Sequence, residues 1–184
     1  TRRDPYHIFD NHPNHPKPEG IRRWEIENGR RIRLHSASQW DSQSMEDLLR
    51  SFGEIDYVIN TSFIHASDFS RLNPKETLFT NCMWTGDMMN SLRRIPNFGS
   101  SGHLIHISSA TVYGKQDPQQ LPLTENTLPN PVGNKAASRL AQENIISGMG
   151  KGYGLPYTIL RTGSHFGLYT PDDTVMAKFA YNAI

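Results

Sequence analysis

The stretch His103-Leu-Ile-His-Ile-Ser-Ser-Ala-Thr-Val-Tyr-Gly114 decides the fold. Its apolar run, residues 104–107, follows Gly102 and predicts a buried strand that ends in Ser108 and Ser109. In an open parallel sheet, ligands bind outside the carboxyl ends of the strands, so this hydroxyl pair is placed to reach a substrate carbonyl or hydroxyl. The alternative is that both serines only cap the turn from the strand into the next loop.

The string Ser108-Ser-Ala-Thr-Val-Tyr-Gly114 closely resembles the Ser-Ser-Ala-Thr-Val-Tyr-Gly segment of the extended short-chain dehydrogenase/reductase family, nearest to its nucleotide-sugar epimerase branch. The resemblance implies an α/β fold with a Rossmann-like, doubly wound parallel sheet. It also implies that Ser109, directly before Ala110, is the catalytic serine. Such enzymes remove a hydride to form a transient keto sugar and then return it. The dehydratase branch has acids where this chain has Ala110 and Thr111, which disfavours dehydration.

Composition limits the partners and the compartment. Among 184 residues, 19 are basic and 18 acidic, so the net charge of +1 predicts neither nucleic-acid binding nor attraction to an anionic membrane. The chain shows no apolar run of bilayer length and no apolar signal core at its start. Cys82 is the single cysteine, which favours a reducing cytoplasm.

His12 and His15 lie in a proline-rich loop without a carboxylate or Cys partner, so no metal site is predicted. The oligomeric state is not readable, and a homodimer stays open.

Two segments near the start of the chain bear on the cofactor. Residues 6–9 predict a short strand that ends at Asp10. By the resemblance, an Asp at this point accepts hydrogen bonds from the adenosine ribose and repels the extra phosphate of NADP, which makes NAD the predicted cofactor. The alternative is a solvated loop acid. A second strand, residues 31–34, is followed by Ser38, where the family usually has an Asp that meets the adenine and where a serine still forms a hydrogen bond.

Residues 55–60 predict the next buried strand, which ends at Asn60. The family commonly follows this strand with small residues that let the backbone approach the cofactor. Here Ser62 and Phe63 follow, and the bulk of Phe63 departs from that pattern. By the resemblance, Asn60 and Ser62 are predicted cofactor-binding residues.

Two helices are predicted in the middle of the chain. A capping box at residues 44–47 predicts a helix through Phe52. The pair Asn73-Pro74 predicts the start of a second helix, which runs to about Arg94. Within it, Asn81 matches an Asn of the family, which implies a hydrogen bond to the backbone of the active-site strand and a place among the cofactor-site residues.

The family's reaction uses a tyrosine as acid and base, a lysine four residues later and the serine. This chain reads Pro-Asn-Pro-Val-Gly-Asn-Lys-Ala-Ala-Ser-Arg-Leu-Ala-Gln-Glu over residues 129–143. Anchored on Glu143, the family pattern places Lys135 at the tyrosine position and Arg139 at the lysine position. Arg139 is the predicted contact to a ribose or phosphate, and Lys135, with a pKa lowered by burial near Arg139, is the predicted base. Tyr113 is a second candidate acid. The alternative is a solvated helix face.

This helix is predicted over residues 134–147 with Gly148 as its stop, and the glycine-rich residues 148–154 as a flexible exit. Residues 157–160 predict the last strand, and Asp173 the cap of a final helix.

Residues 1–170 are therefore predicted as a partial NAD(P)-binding Rossmann-like domain, and residues 171–184 as the start of the substrate-binding region. The first strand and the Gly-rich loop of a dinucleotide fold are missing upstream, so the chain is expected to be part of a longer one. The predicted function is a NAD-dependent nucleotide-sugar epimerase or related oxidoreductase with an atypical catalytic pair. The alternative is a non-catalytic dinucleotide-binding or interaction protein of the same fold.

Overall fold

The computed structural model describes residues 42–64 and 67–163, together with positions 179 and 182. Several predictions lie outside these residues: the strands at residues 6–9 and 31–34, the cofactor contacts Asp10 and Ser38, and the helix at Asp173. The division of the chain at residue 170 also stays a prediction.

Three strands form a parallel sheet in the order β1 (Tyr57–Asn60), β2 (His103–Ser109) and β3 (Tyr157–Thr162). β2 pairs with both neighbours, and Leu104 lies level with Val58 on one side and Tyr157 on the other. The predicted strand with its terminal serine pair is thus the middle of the described sheet, and the predicted α/β fold with a parallel sheet is confirmed.

Helices cover one face of this sheet. They are α1 (Ser42–Ser51), α2 (Ser67–Leu72), α3 (Pro74–Leu78), α4 (Trp84–Leu92), α5 (Phe98–Ser101) and α6 (Gly133–Tyr153), with a π-helical turn at Phe79–Met83 and 3₁₀ turns at Ala110–Tyr113 and Pro118–Gln120. The core between α1, α4, α6 and β2 consists of apolar side chains: Leu49, Met88, Met89, Leu92, Ile95, Phe98, Leu104, Ile146 and Leu155. None of the described helices is both long and apolar enough for a bilayer crossing.

The prediction of a buried strand at residues 55–60 is wrong in its burial. β1 begins at Tyr57, and only its last residue, Asn60, is buried. Successive side chains of a strand point to opposite faces, so Val58 and Asn60 face the helices while Tyr57 and Ile59 face the other way. Tyr57 is 69% and Ile59 63% exposed on that face.

Two helix starts differ from the predicted capping patterns. α1 begins at Ser42, so the predicted capping box lies inside the helix rather than at its start. Pro74 opens α3 as predicted, but Asn73 makes no cap with its side chain, whose Nδ2 instead donates to the Phe69 carbonyl at 3.0 Å. The helical run that follows ends at Leu92, slightly before the predicted Arg94.

α6 extends well past its predicted stop. It continues through Gly148 to Tyr153 and ends at Gly154, whose φ of +66° is the left-handed conformation that a glycine cap favours. Packing explains the glycine at position 150: a Cβ there would lie 2.5 Å from the Tyr157 ring. Gly150 therefore packs closely against β3, and the glycine run up to Tyr153 is helical rather than a flexible exit.

Candidate functional site

The two serines at the end of β2 have different surroundings. Ser108 is buried, and its hydroxyl donates to Glu143 of α6. Ser109 points to the opposite face and is half-buried. Its oxygen accepts from the backbone N–H of Thr111 at 3.2 Å and from the Thr111 hydroxyl at 3.0 Å. Both bonds use the Ser109 oxygen as acceptor, so its own proton is available to a substrate oxygen. The structure thus gives Ser109 the turn-capping role and leaves it a hydroxyl proton for a ligand, while its role as the catalytic serine stays a prediction.

An ion pair between α6 and β3 holds the carboxyl end of β2 in place. Glu143 is 4% exposed and accepts from Arg161 of β3 at 3.1 Å (Nε) and 2.8 Å (Nη2) as well as from Ser108. The hydrogen bond to Glu143 is the main reason that the pKa of Arg161 is raised. On the strand itself, the Ser108 carbonyl accepts from the Thr162 hydroxyl at 3.0 Å. These bonds hold the peptide that precedes Ser109 from two sides.

Tyr113 belongs to the wall of this site. It is 7% exposed, and its hydroxyl donates to the carbonyl of Thr124 at 3.0 Å. The Arg161 guanidinium lies 4.8 Å from its ring centroid. Because the phenol proton is already engaged by a backbone carbonyl, Tyr113 is placed to brace the loop that leads to α6, and its role as an acid stays a prediction.

Asn60 and His106 form a buried pair beneath the carboxyl edge. Asn60 Nδ2 lies 3.1 Å from His106 Nδ1, and Asn60 Oδ1 accepts from the Ser62 N–H at 2.9 Å. An amide nitrogen can only donate, so His106 Nδ1 is the acceptor and its proton is on Nε2. Burial, and then the charge of Arg139, lower the pKa of His106 to about 4, so this ring is neutral near pH 7. Both ends of the Asn60 amide are engaged, while Ser62 is exposed.

The Asn81 amide bonds to partners other than the backbone of the active-site strand, so the predicted hydrogen bond to that strand is wrong. Its Oδ1 accepts from the Ile64 N–H at 2.9 Å, and its Nδ2 donates to the Ser138 hydroxyl at 2.9 Å. Asn81 is 1% exposed within the π turn, and its amide ties the segment after β1 to α6. The strand is instead held by α6 itself, through Arg139 and Glu143.

Arg139 is buried rather than presented to the carboxyl edge. It is 3% exposed, and its Nη1 donates to the carbonyl of Ile107 at 2.9 Å. Its Cζ lies 3.0 Å from the centroid of the Phe63 ring. Burial lowers the pKa of Arg139 to about 10, against the opposing effect of Glu143.

Lys135 precedes Arg139 by about one turn of α6 and is half-buried. Burial lowers the pKa of its ammonium, and the neighbouring charge of Arg139 lowers it further. α6 runs from the carboxyl edge of the sheet at Lys135 towards the opposite edge, where Gly150 meets Tyr157. Lys135 therefore lies in the first turn of α6, at the helix end on the side of the carboxyl edge, and its role as a base stays a prediction.

Sequence reasoning did not assign roles to His106, Glu143 or Arg161. Glu143 served only as an anchor for the motif, and its spacing of four residues from Arg139 was the available signal that it shares the helix face turned towards β2. Among the described residues, no three metal-ligating side chains lie together.

Three comparisons with known proteins agree on one family. A profile of the NAD dependent epimerase/dehydratase family matches residues 5–184. The GDP-6-deoxy-D-mannose reductase of Pseudomonas aeruginosa is 32% identical over 108 residues, which cover 59% of this chain and 34% of that protein.

Two solved structures share the fold. RMD from Pseudomonas aeruginosa complexed with NADPH superposes with a TM-score of 0.70 and 28% identity, covering 80% of this chain and 48% of its own. The UDP-glucose 4-epimerase of Bifidobacterium longum, in complex with NAD⁺ and UDP, gives a TM-score of 0.66 and 26% identity over 78% of this chain and 42% of its own. The chain thus spans less than half the length of these relatives.

Proposed function

We propose, because the chain belongs to the NAD dependent epimerase/dehydratase family, that it forms part of a nucleotide-sugar epimerase or related oxidoreductase in which Ser109 and Lys135 handle the substrate proton. The observation that carries this proposal is the half-buried Lys135 at the tyrosine position of the family pattern, because its lowered pKa increases the share of the neutral amine, which is the form that can act as a base.

The substrate class follows from the relatives. The reductase from Pseudomonas aeruginosa and the epimerase from Bifidobacterium longum both act, by their names, on sugars linked to a nucleotide. One solved relative holds NADPH and the other NAD⁺, which supports a nicotinamide dinucleotide without choosing between them. The preference for NAD therefore rests on Asp10 and stays a prediction.

The described residues fit such a dinucleotide unevenly. Ser62, Ser109 and the half-buried Lys135 offer polar groups at the carboxyl edge, where a ligand binds in this fold. Asn60, Asn81 and Arg139 do not fit direct contact, since all three are buried, both amides are engaged inside the protein, and Arg139 donates to the Ile107 carbonyl. These three shape the backbone beneath a ligand rather than touch it.

Ser109 and Lys135 have different roles in the proposed proton transfer. Ser109 donates a hydrogen bond to the substrate oxygen and keeps its proton, since its own oxygen accepts from Thr111. Neutral Lys135 takes the proton of the substrate hydroxyl in the oxidising direction and returns it in the reducing direction. The nicotinamide, when bound, supplies the acceptor and donor of hydride. Below the pKa of Lys135 the ammonium predominates, so oxidation of the hydroxyl slows.

The pH dependence of turnover tests this proposal. In the full-length protein, NAD(P)H formation with UDP-, GDP- and dTDP-sugars is expected to rise with pH through the Lys135 titration. Replacement Lys135→Met is expected to lower kcat by about 10²- to 10⁴-fold and flatten the profile, the range typical of a general base. The control is Lys151→Met, an exposed lysine on the same helix, which is expected to leave turnover unchanged. Robust turnover that is indifferent to both Ser109→Ala and Lys135→Met contradicts the assignment.

A non-catalytic dinucleotide-binding protein is the second candidate. The engagement of Asn60, Asn81 and Arg139 in internal bonds favours it, because these groups are unavailable to a ligand. It predicts NADH binding without turnover on any of these sugars, and no gain from Lys135→Tyr. A gain in hydride transfer from that replacement supports a catalytic site instead.

A further inference from the structure

We infer that Phe63 and Arg139 form one structural unit, and that Arg139 is a positioning residue for the end of β2 rather than a cofactor ligand. Each departs from the family pattern, Phe63 where small residues are expected and Arg139 where a lysine is expected. Although far apart in sequence, they are in contact in the fold. The two departures are therefore one paired exchange.

The contact geometry supports the pairing. The Arg139 Cζ is 3.0 Å from the Phe63 ring centroid, so the planar guanidinium lies against the face of the ring. A lysine ammonium is a compact, strongly hydrated charge that cannot stack in this way. A small residue at position 63 would in turn leave one face of a buried cation without a neighbour. A lysine at position 139 alone, or a small residue at position 63 alone, would therefore lose this contact.

The contact with the Phe63 ring also compensates for hydrogen bonds that the buried Arg139 guanidinium lacks. Arg139 Nε has no hydrogen-bond partner among the described groups, and the carboxylate of Glu143 is shared with Arg161 and Ser108. An aromatic face attracts a desolvated cation, so Phe63 compensates part of the cost of burying Arg139. The lowered pKa of Arg139 reflects the part that is not compensated.

The pair connects to the reactive serine through the backbone. Arg139 Nη1 holds the carbonyl of Ile107 at 2.9 Å, two residues before Ser109. Loss of this bond shifts the last residues of β2, and with them the Ser109 oxygen. On the proposed function, on which this step rests, Arg139 variants thus change kcat, while the affinity for the dinucleotide and the KM for the sugar stay close to wild type.

A double-mutant cycle on unfolding tests the pairing without any activity. Phe63→Leu, Arg139→Met and the double variant are made in the full-length protein and unfolded in urea. We expect a coupling of about 10-fold in the unfolding equilibrium constant, equivalent to about 1.4 kcal/mol. The matched control is Arg93 over Tyr153, at 4.8 Å with a 46% exposed ring, where coupling is expected to stay below about twofold.

Additive effects at Phe63 and Arg139 overturn the pairing. If Arg139→Met does not fold, Phe63→Tyr and Phe63→Leu decide: the tyrosine retains an aromatic face and should keep wild-type stability, whereas the leucine should lose it. Equal stability of the two variants overturns the inference.

Titration with NADH tests the positioning role. Arg139→Met is expected to bind NADH within about threefold of wild type, while its kcat drops and the sugar KM holds. A loss of NADH affinity of more than about tenfold in a folded Arg139→Met variant makes Arg139 a cofactor ligand and overturns the inference. If the wild-type protein binds no NADH at all, the proposed function fails, and the unfolding cycle still decides whether the pair exists.

Discussion

Replacement of Gly150 by alanine sets two opposing effects against each other. Inside a helix, alanine is more favourable than glycine by about 0.5–1 kcal/mol. At position 150, however, the new Cβ would lie 2.5 and 2.6 Å from two atoms of the Tyr157 ring, closer than real contacts allow. Overpacking of this kind costs about 1–3 kcal/mol. Displacing the ring also strains its hydrogen bond to Ser147, which is 3.1 Å long and worth about 1 kcal/mol.

The clash is therefore expected to exceed the gain in helix propensity. We expect Gly150→Ala to lower the free energy of unfolding by about 1–2 kcal/mol, which corresponds to a drop in Tm of about 2–8 °C for a domain of this size. Urea unfolding followed by far-ultraviolet circular dichroism measures the free energy, and thermal unfolding measures Tm.

Gly148 provides the matched control within α6. It lies in the same helix and is exposed, and a Cβ added there would have no neighbouring atom within 4 Å, so only the helix propensity changes. Gly148→Ala is expected to raise the free energy of unfolding by about 0.5–1 kcal/mol. If both variants change stability in the same direction and by the same amount, the close contact between α6 and Tyr157 is refuted.

Three further predictions concern the surroundings of the site. The pKa of His106 falls from 6.5 to about 4 on folding, so the folded state binds fewer protons than the unfolded state. The contribution of the neutral His106 ring to the free energy of unfolding is therefore complete above about pH 6.5, and up to about 3 kcal/mol of it is lost as the pH falls towards 4. Unfolding titrations of His106→Gln should show a shallower dependence on pH in that window, and an unchanged slope contradicts the buried neutral ring. Ser108→Ala removes the hydroxyl donor of a buried carboxylate and should cost about 1–3 kcal/mol of stability. Ser109→Ala removes only the cap at Thr111, so it should cost about 0.5–1 kcal/mol and reduce turnover, and the reverse order of the two losses contradicts the roles given to the two serines. In Gly114→Ala, the new Cβ meets the Asn130 carbonyl at a φ of +58°, so the variant should lose more than about 2 kcal/mol of stability. Gly133→Ala has a positive φ but open space and should lose about half as much. Equal losses in thermal or urea unfolding would mean that backbone strain alone, without the clash, destabilises both variants.

Local patterns in the sequence predicted the elements that depend on local interactions. The apolar run before Ser108 identified β2, because a short apolar segment that turns abruptly polar favours a buried strand with its end at the surface. Pro74 marked a helix start because its fixed φ suits the first turn. The motif around Ser109 and the anchor at Glu143 were sufficient to indicate the family that the profile match then confirmed.

Local patterns misjudged elements whose limits depend on packing. Gly148 is a weak helix residue, but a cost of about 1 kcal/mol is smaller than the stabilisation that α6 gains by packing along β2 and β3. Tyr57 and Ile59 have the composition of a buried strand, yet burial depends on whether another layer covers that face, which strand composition does not encode.

The sequence by itself determined the order of strands and helices, the family, and the residue types at the carboxyl edge. Only the tertiary structure decided which of them are buried in internal bonds and which stay partly exposed. Alternation along β2 puts Ser108 and Ser109 on opposite faces, and the packing of α6 selects Ser108 as the buried one. Asn81 and Arg139 lie at positions that the family pattern assigns to the site, but their side chains donate to the Ser138 hydroxyl and the Ile107 carbonyl. The sequence pattern does not show this, because hydrogen-bond partners depend on distances between segments that are far apart in the chain.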